Sequence, residues 1–456
     1  MGGFFICKEK RKFYNTSSMQ EENIQKKKKF FKEIDFTTGN ILKKLILFSI
    51  PLIVTSLLQI LYSSCDLIVV SKFGGGANSV GAIGSNNAII NLLIGSFIGL
   101  SSGVNVAIGN SKGRKDVEGA SKAMHSAILL AIVFGVVLAI IGFFTTPYIL
   151  NFMKTDRILK ANAEIYLKVY FIGVPFSLIY NYGASILRAI GDSIKPFLTL
   201  LITFVINIGL NFAFVCGAKL DVLGVAIGTI ISQFVSAVMV IIFLITNKNG
   251  FINLKLKKLR FYKNETRRVL KYGIPSMLQS LFFCVPNTFI QQQANTFGTA
   301  AVNGSAASSS IENYLYSVLN SFSVAVLSMT SQNYGAKNKK NLKRGLFYSL
   351  ITEAVLGITL GVIFIILRKP LLNILISEPT EIAYGEERFL VIVGTYTLCG
   401  LMDTLSAFLR GLKYTISPTS ITFASATLFR LGLILLYMIC LGVKTYFPLT
   451  PLAEKP

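Results

Sequence analysis

The sequence predicts an all-α polytopic membrane protein. It reads as two parallel bundles of the six-helix type related by a pseudo-two-fold axis, the second lacking its last helix. Three observations lead there: an apolar composition, eleven apolar stretches long enough to cross a bilayer, and residues that recur about 222 positions apart. Of the 456 residues, 52% are hydrophobic and 14% charged, and the mean hydropathy is +0.61. Soluble domains carry about 25% charged residues, so this chain has too few to solvate a surface of its size. The net charge of +24 would suit a nucleic-acid binder if it lined one face. Here the basic residues sit between apolar stretches, where lipid headgroups and topology account for them, and no nucleic-acid partner is expected. A single His and six Cys without a CxxC spacing leave no readable metal or redox site.

In chain order, residues 1–40 are polar and basic, with Lys26 to Lys29 consecutive, and read as a disordered cytoplasmic arm. Only helices or closed barrels satisfy their own backbone in lipid, and a helix needs about 20 apolar residues to span the hydrocarbon. The qualifying stretches are 42–64, 80–108, 123–146, 164–187, 195–217 and 222–246 in the N-lobe, 41–246. A Lys-rich cytoplasmic linker, 247–265, follows. The C-lobe, 266–441, holds 270–296, 302–330, 345–367, 388–409 and 417–441, and 442–456 is a tail too short and too Pro-interrupted to cross. The missing twelfth span reads as a truncation. Of the 45 Lys and Arg, 33 fall before span one or in the loops on that side, and 9 in the alternate loops, which places the N-terminus in the cytoplasm.

The repeat is explicit. Leu187-Arg188, Ser193 and Pro196 recur as Leu409-Arg410, Thr415 and Pro418, and Gly113 recurs as Gly335, all 222 positions on. Six spans return the chain to its starting side, so the copies are parallel repeats, an arrangement typical of secondary transporters.

Ionisable groups inside spans are costly, about 2.5–3.5 kcal/mol each on insertion scales, and usually line ion or proton paths. Asp66 follows LLQILYSSC and precedes LIVV, so the apolar run of span one continues past residue 64 and Asp66 lies toward its outer half rather than in a loop. Asn181, Asn207, Asn211 and Thr229 on neighbouring spans could complete a cation site, since carboxylate, amide and hydroxyl oxygens suit a hard cation such as Na⁺. The same carboxylate could carry H⁺ instead. Asn207 and Asn211, one turn apart, share a face, and could equally serve as interhelical hydrogen-bond glue. Asp403 precedes Arg410 by seven residues, as Asn181 precedes Arg188, so the second copy holds a carboxylate where the first holds an amide. It reads either as a second coupling or substrate site or as the partner of Arg430. Arg430 and Glu312 join Asp403 as members of that candidate C-lobe coupling or substrate site. Glu312, like Glu353, is a weaker candidate expected to be solvated or paired, Glu353 with a basic loop near Arg344.

The sequence resembles the multidrug and toxic compound extrusion (MATE) family over residues 39–441. The features are Pro51 with LLQILYSSCD, SILRAIGDSIKP at 185–196, NIGLN at 207–211, GVAIGTIISQ at 224–233, SQNYGAK at 331–337 and FLRGLKYTISP at 408–418. The resemblance implies a V-shaped pair of bundles and exchange of Na⁺ or H⁺ for a small amphipathic, cationic compound. No cofactor, no enzymatic activity, a monomer and a multi-pass place in the plasma membrane are expected. The family's N-lobe cation site maps onto Asp66, Asn181, Asn207, Asn211 and Thr229. Position 211 is commonly Asp in characterised relatives and is Asn here, which removes one negative charge. Some relatives carry an acid one turn earlier than Asp403. The alternatives are a lipid-linked saccharide flippase of the same architecture, whose cleft is expected to be richer in basic groups, and a truncated, inactive transporter.

Overall fold

A computed structural model describes residues 33–153, 155–247, 250–294, 298–433 and 436, and these form helices joined by short loops. The first half contains α1 (Ile41–Phe73), α2 (Ala77–Gly113), α3 (Val117–Phe152) and α4 (Arg157–Ala189). Next come α5 (Ile194–Asn211), which runs on as a π-helix over Phe212–Gly217, and α6 (Asp221–Thr246). The second half contains α7 (Lys263–Ala294), α8 (Thr299–Gly335), α9 (Lys339–Ile366) and the short α10 (Arg368–Leu375). It ends with α11 (Pro379–Gly411) and α12 (Ile416–Thr422), continued as a π-helix over Phe423–Phe429.

Among the described residues, eight helices are long and apolar enough to cross a membrane: α1 to α6 (α5 with its π-helical extension), α9 and α11. The stretches expected to span at 270–296 and 302–330 do form long helices, α7 and α8, but more polar ones. α8 is polar because it is enclosed. It packs on α11, α2, α1 and α9, and Ser321, Ser328, Thr330, Ser331, Gln332 and Asn333 are all buried. A helix shielded by protein need not be apolar, and small polar residues let neighbours approach closely. α10 was not foreseen; it sits across the connection between α9 and α11 with Leu372 buried and Ile374 exposed. The end of the last expected span, the tail and most of the N-terminal arm lie outside the described residues.

The portion of the arm that is described corrects the expectation of a disordered segment up to residue 40. Phe36 is fully buried beside Phe48, at a ring distance of 5.3 Å, within a cluster that also holds Leu45, Phe322 and Met329. The Phe36 amide donates to Gln332 Oε1 at 3.1 Å, and Asn333 Nδ2 donates to the Phe36 carbonyl at 3.1 Å. One large aromatic side chain with satisfied backbone is enough to anchor this polar segment.

The repeat seen in the sequence is also a repeat of geometry. Lys115 and Lys337, 222 residues apart, both take positive φ, 60° and 55°. Each precedes a capping side chain: Asp116 accepts from the Gly119 amide at 2.8 Å, and Asn338 from the Asn341 amide at 3.1 Å. The ends of α2 and α8 meet reciprocally. A Cβ on Gly113 would lie 1.9 Å from the Gln332 carbonyl, and one on Gly335 would lie 2.1 Å from the Asn110 carbonyl. Since 110 pairs with 332 and 113 with 335, the contact is self-complementary, as expected across a two-fold axis. Farther along α2, a Cβ on Gly103 would lie 2.4 Å from the Gly273 amide of α7. Only glycine permits this approach. Lipid offers helices no hydrophobic incentive to associate, so such tight van der Waals contacts, with bonds such as Asn105 Nδ2 to Ser328 Oγ at 2.9 Å, hold the halves together.

Candidate ion-binding site

Asp66 lies late in α1, buried to 5% exposure. Around it, α5 brings Asn207 and Asn211, both fully buried, and α6 brings Thr229. Asn211 Nδ2 donates to Asp66 Oδ1 at 2.6 Å and to Asn207 Oδ1 at 3.2 Å. Thr229 Oγ1 donates to Asp66 Oδ2 at 3.3 Å. The one-turn spacing of the two Asn residues is what allows a single amide to bridge Asp66 and Asn207. The α-helix gives way to a π-helix immediately after Asn211, a backbone feature that recurs at functional sites.

The partners of Asp66 are neutral. No Lys or Arg forms an ion pair with it among the described residues. The hydroxyl of Tyr62, the Oδ1 of Asn211 and the Nδ2 of Asn207 are buried without hydrogen-bond partners. Tyr62 and Tyr166 lie close enough to feel the charge of Asp66. Neither tyrosine stood out in the sequence, although Tyr62 lies four residues before Asp66 and so on the same helical face. The set of oxygens from Asp66, Asn207, Asn211 and Thr229 fits a small hard cation, with the orphaned Asn211 oxygen in reserve. Asn181 is not hydrogen-bonded to this set. Its amide donates to the Ser177 carbonyl of its own helix at 2.8 Å, which satisfies it locally.

In the second half, Asp403 on α11 is buried to 6% exposure and accepts from Tyr316 at 3.0 Å and Asn320 at 3.3 Å, both on α8. The positive charge of Arg410, two turns along the same helix, acts on Asp403. That of Arg430 acts on Cys399, one turn before Asp403. Glu312 is fully occupied: Arg388 Nε and Nη2 reach its two oxygens at 3.2 and 3.1 Å, and Ser308 Oγ donates at 2.7 Å. A bidentate guanidinium pair of this kind leaves no coordination for a transported ion.

Glu353 corrects the expectation of a partner in a basic loop. It is fully buried on α9, and neither carboxylate oxygen makes a well-formed hydrogen bond among the described residues. The Thr404 hydroxyl of α11 lies near it, likewise buried and without a well-formed hydrogen bond. Glu353 packs against Gly400, where a Cβ would lie 2.3 Å from its Oε1, and it feels the charge of Asp403. Sequence offset from Arg344 suggested pairing, but the α9–α11 contact turns Glu353 inward instead.

Two helical halves, reciprocal glycine contacts and long apolar spans define a multi-pass membrane protein with an internal duplication. The MatE family model matches the chain twice, over residues 51–213 and 274–436, and the chain belongs to that family. The two matches are the two halves of the repeat. Among curated proteins, the chain is 27% identical to the "Probable multidrug resistance protein YpnP" of Bacillus subtilis, over 83% of this chain and 84% of that one. It is 25% identical to the "Probable multidrug resistance protein NorM" of Thermotoga maritima, over 84% and 82%. It is 23% identical to the "Multidrug export protein MepA" of Staphylococcus haemolyticus, over 81% and 79%. Its fold is similar to that of a MOP superfamily transporter from Pyrococcus furiosus, with a TM-score of 0.84 at 20% identity over 90% of this chain and 92% of that one. A MATE family transporter in an outward-facing conformation gives 0.83 at the same identity and coverage.

Proposed function

We propose that the protein is a secondary active multidrug exporter of the plasma membrane, exchanging Na⁺ or H⁺ for a small amphipathic, cationic compound by alternating access. The observation that carries this reading is Asp66: a buried carboxylate whose partners among the described residues are all neutral. An ionised carboxylate so placed lacks a counter-charge, and it becomes stable when it binds a proton or a metal cation. Asn211 and Thr229 fix its two oxygens, and Asn207 orients Asn211. Loading or releasing the ion changes the net charge between α1, α5 and α6 by one unit, and that change biases the packing of these helices. A cation gradient then drives the exchange, because the ion binds one access state more tightly than the other. The three curated relatives described above are named for multidrug resistance or export, which supplies the class of compound.

Asn at position 211 leaves Asp66 as the sole acid of this constellation. A single negative charge matches a single H⁺ or Na⁺ per cycle. The reading is tested by expressing the wild type and Asp66→Asn in a drug-sensitised host. Resistance is expected from the first and not from the second at equal membrane levels. Equal resistance from both removes Asp66 from the mechanism.

A further inference from the structure

The two-fold repeat places two equivalent surfaces at the end of the molecule where α2 and α8 finish, and they are filled differently. On the first, the chain lays its own segment Glu33–Phe36. The Ile34 amide donates to the Gly191 carbonyl at 2.8 Å, and the Phe36 amide to Gln332. Glu33 supplies the charge: its carboxylate meets Lys112 Nζ at 3.3 Å and accepts from Asn247 Nδ2 at 3.2 Å. The Lys112 ammonium also donates to the Ile190 carbonyl. An acidic group therefore sits on the cation at this surface.

Shifting those residues by 222 gives Tyr334 for Lys112, Leu412 for Ile190, Lys413 for Gly191 and Lys337 for Lys115. They line a cavity of about 490 Å³, within the range of small-ligand sites, ~300–1,000 Å³. Asn110 and Arg114 of the first half and Lys339 complete its polar wall, with Leu342 and Leu412 as an apolar floor. At the offset of 224 that relates Pro51 to Pro275, the segment equivalent to Glu33–Phe36 is Lys257–Arg260, none of which lines the cavity; Arg260 lies over the Tyr262 ring at 4.6 Å. That segment carries Lys257 where the other carries Glu33.

The second surface is thus a cavity with four cations, Arg114, Lys337, Lys339 and Lys413, and, among the described residues, no acid in its lining. Lys413 lies over the Tyr334 ring at 5.2 Å. Burial, then the neighbouring charges of Arg114 and Arg268, push its ammonium down from the usual lysine range. Asp116 lies 3.6 Å from Arg114 and is the only ion-pair partner of the four among the described residues. The cavity sits beyond the end of α11 and between the ends of α2 and α8, at the level where these helices finish. Basic pockets between membrane helices at this level hold anionic headgroups.

We propose that this cavity binds the phosphate-bearing headgroup of an anionic phospholipid, with Arg114, Lys339 and Lys413 on the phosphate and Leu342 and Leu412 against the start of the acyl region. The bound lipid does for the second half what Glu33 does for the first. Because Arg114 belongs to one half and Lys337 and Lys413 to the other, it also ties the halves together where Gly113 and Gly335 meet.

The test uses the full-length protein in dodecyl maltoside. Its thermal midpoint is followed while dioleoyl phosphatidylglycerol, dioleoyl phosphatidylcholine or inorganic phosphate is added. Phosphatidylglycerol is expected to raise the midpoint saturably and phosphatidylcholine to leave it unchanged. The Arg114→Gln/Lys413→Gln double variant should need about tenfold more phosphatidylglycerol for the same shift. The exposed pair Lys337→Gln/Lys339→Gln carries the same expectation should the first variant fold poorly. Lys257→Gln/Lys258→Gln, equal in charge but outside the cavity, should respond as wild type. Equal responses from pocket and control variants overturn the site. An equal shift from inorganic phosphate alone overturns the lipid as its ligand.

Discussion

In the first half, a buried carboxylate on α1, Asp66, meets an amide and a hydroxyl; in the second, an equally buried carboxylate on α8, Glu312, is gripped at both oxygens by Arg388. Their exposures, 5% and 1%, do not distinguish them. What differs is the charge beside them. Glu312 and Arg388 neutralise each other permanently, which makes the pair part of the packing of α8 against α11. Asp66 has no permanent counter-ion, so its charge state is left to whatever ion arrives. Asp403 and Glu353 fall between these poles: Asp403 feels Arg410 and two neutral donors, whereas Glu353 makes no well-formed hydrogen bond among the described residues and has the Thr404 hydroxyl near it.

The comparison can be broken most forcefully at its two ends. Asp66→Asn is expected to abolish gradient-driven export while leaving the thermal midpoint near that of wild type, because an amide keeps the size of the side chain and loses only the titratable charge. Glu312→Gln should do the reverse. It strands the Arg388 guanidinium in a largely buried place, which costs about 3–5 kcal/mol. Membrane yield and thermal midpoint should fall, with transport per folded molecule retained. Similar behaviour of the two variants would show that burial, not the neighbouring charge, governs function.

Smaller effects sharpen the middle of the scale. Glu353→Gln should leave stability unchanged or raised, since a buried carboxyl without a counter-charge is replaced by a neutral amide, and should lower export several-fold as a buried acid between α9 and α11 is lost. Unchanged export in vesicles would reduce Glu353 to a packing residue. The least effect is expected from Asn181→Ala. Its amide is satisfied by Ser177 on its own helix, so efflux should change by less than about twofold, the loss of one local hydrogen bond being worth roughly 0.5–1.5 kcal/mol of stability. A large loss would return Asn181 to the ion site.

These contrasts also explain what could be read from the chain alone. The duplication was legible because the turn chemistry that repeats it is local: a glycine at the close approach, a residue of positive φ and a cap follow one another in both copies. Asp66, Asn207 and Asn211 were legible because a lone acid in an apolar run and a one-turn spacing are patterns of sequence. The surroundings of Glu312 and Glu353 were not. Whether a carboxylate finds an Arg depends on how α8, α9 and α11 rotate against each other, and residues 76 apart, such as Glu312 and Arg388, leave no local trace. The anchoring of Phe36 escaped for the same reason, since its polar neighbours suggested a free arm. The polar α8 shows the opposite limit: apolarity identifies helices that face lipid, and a helix wrapped by others need not display it.

The most direct measurement is export of a fluorescent cationic dye in proteoliposomes holding wild type or Asp66→Asn, with a Na⁺ gradient imposed in one set and a pH gradient in another. Wild type should transport when at least one gradient is present and stop when it is collapsed, and Asp66→Asn should be inert under both. Gradient-driven transport by Asp66→Asn at the wild-type rate would contradict the assignment of the coupling ion to this carboxylate.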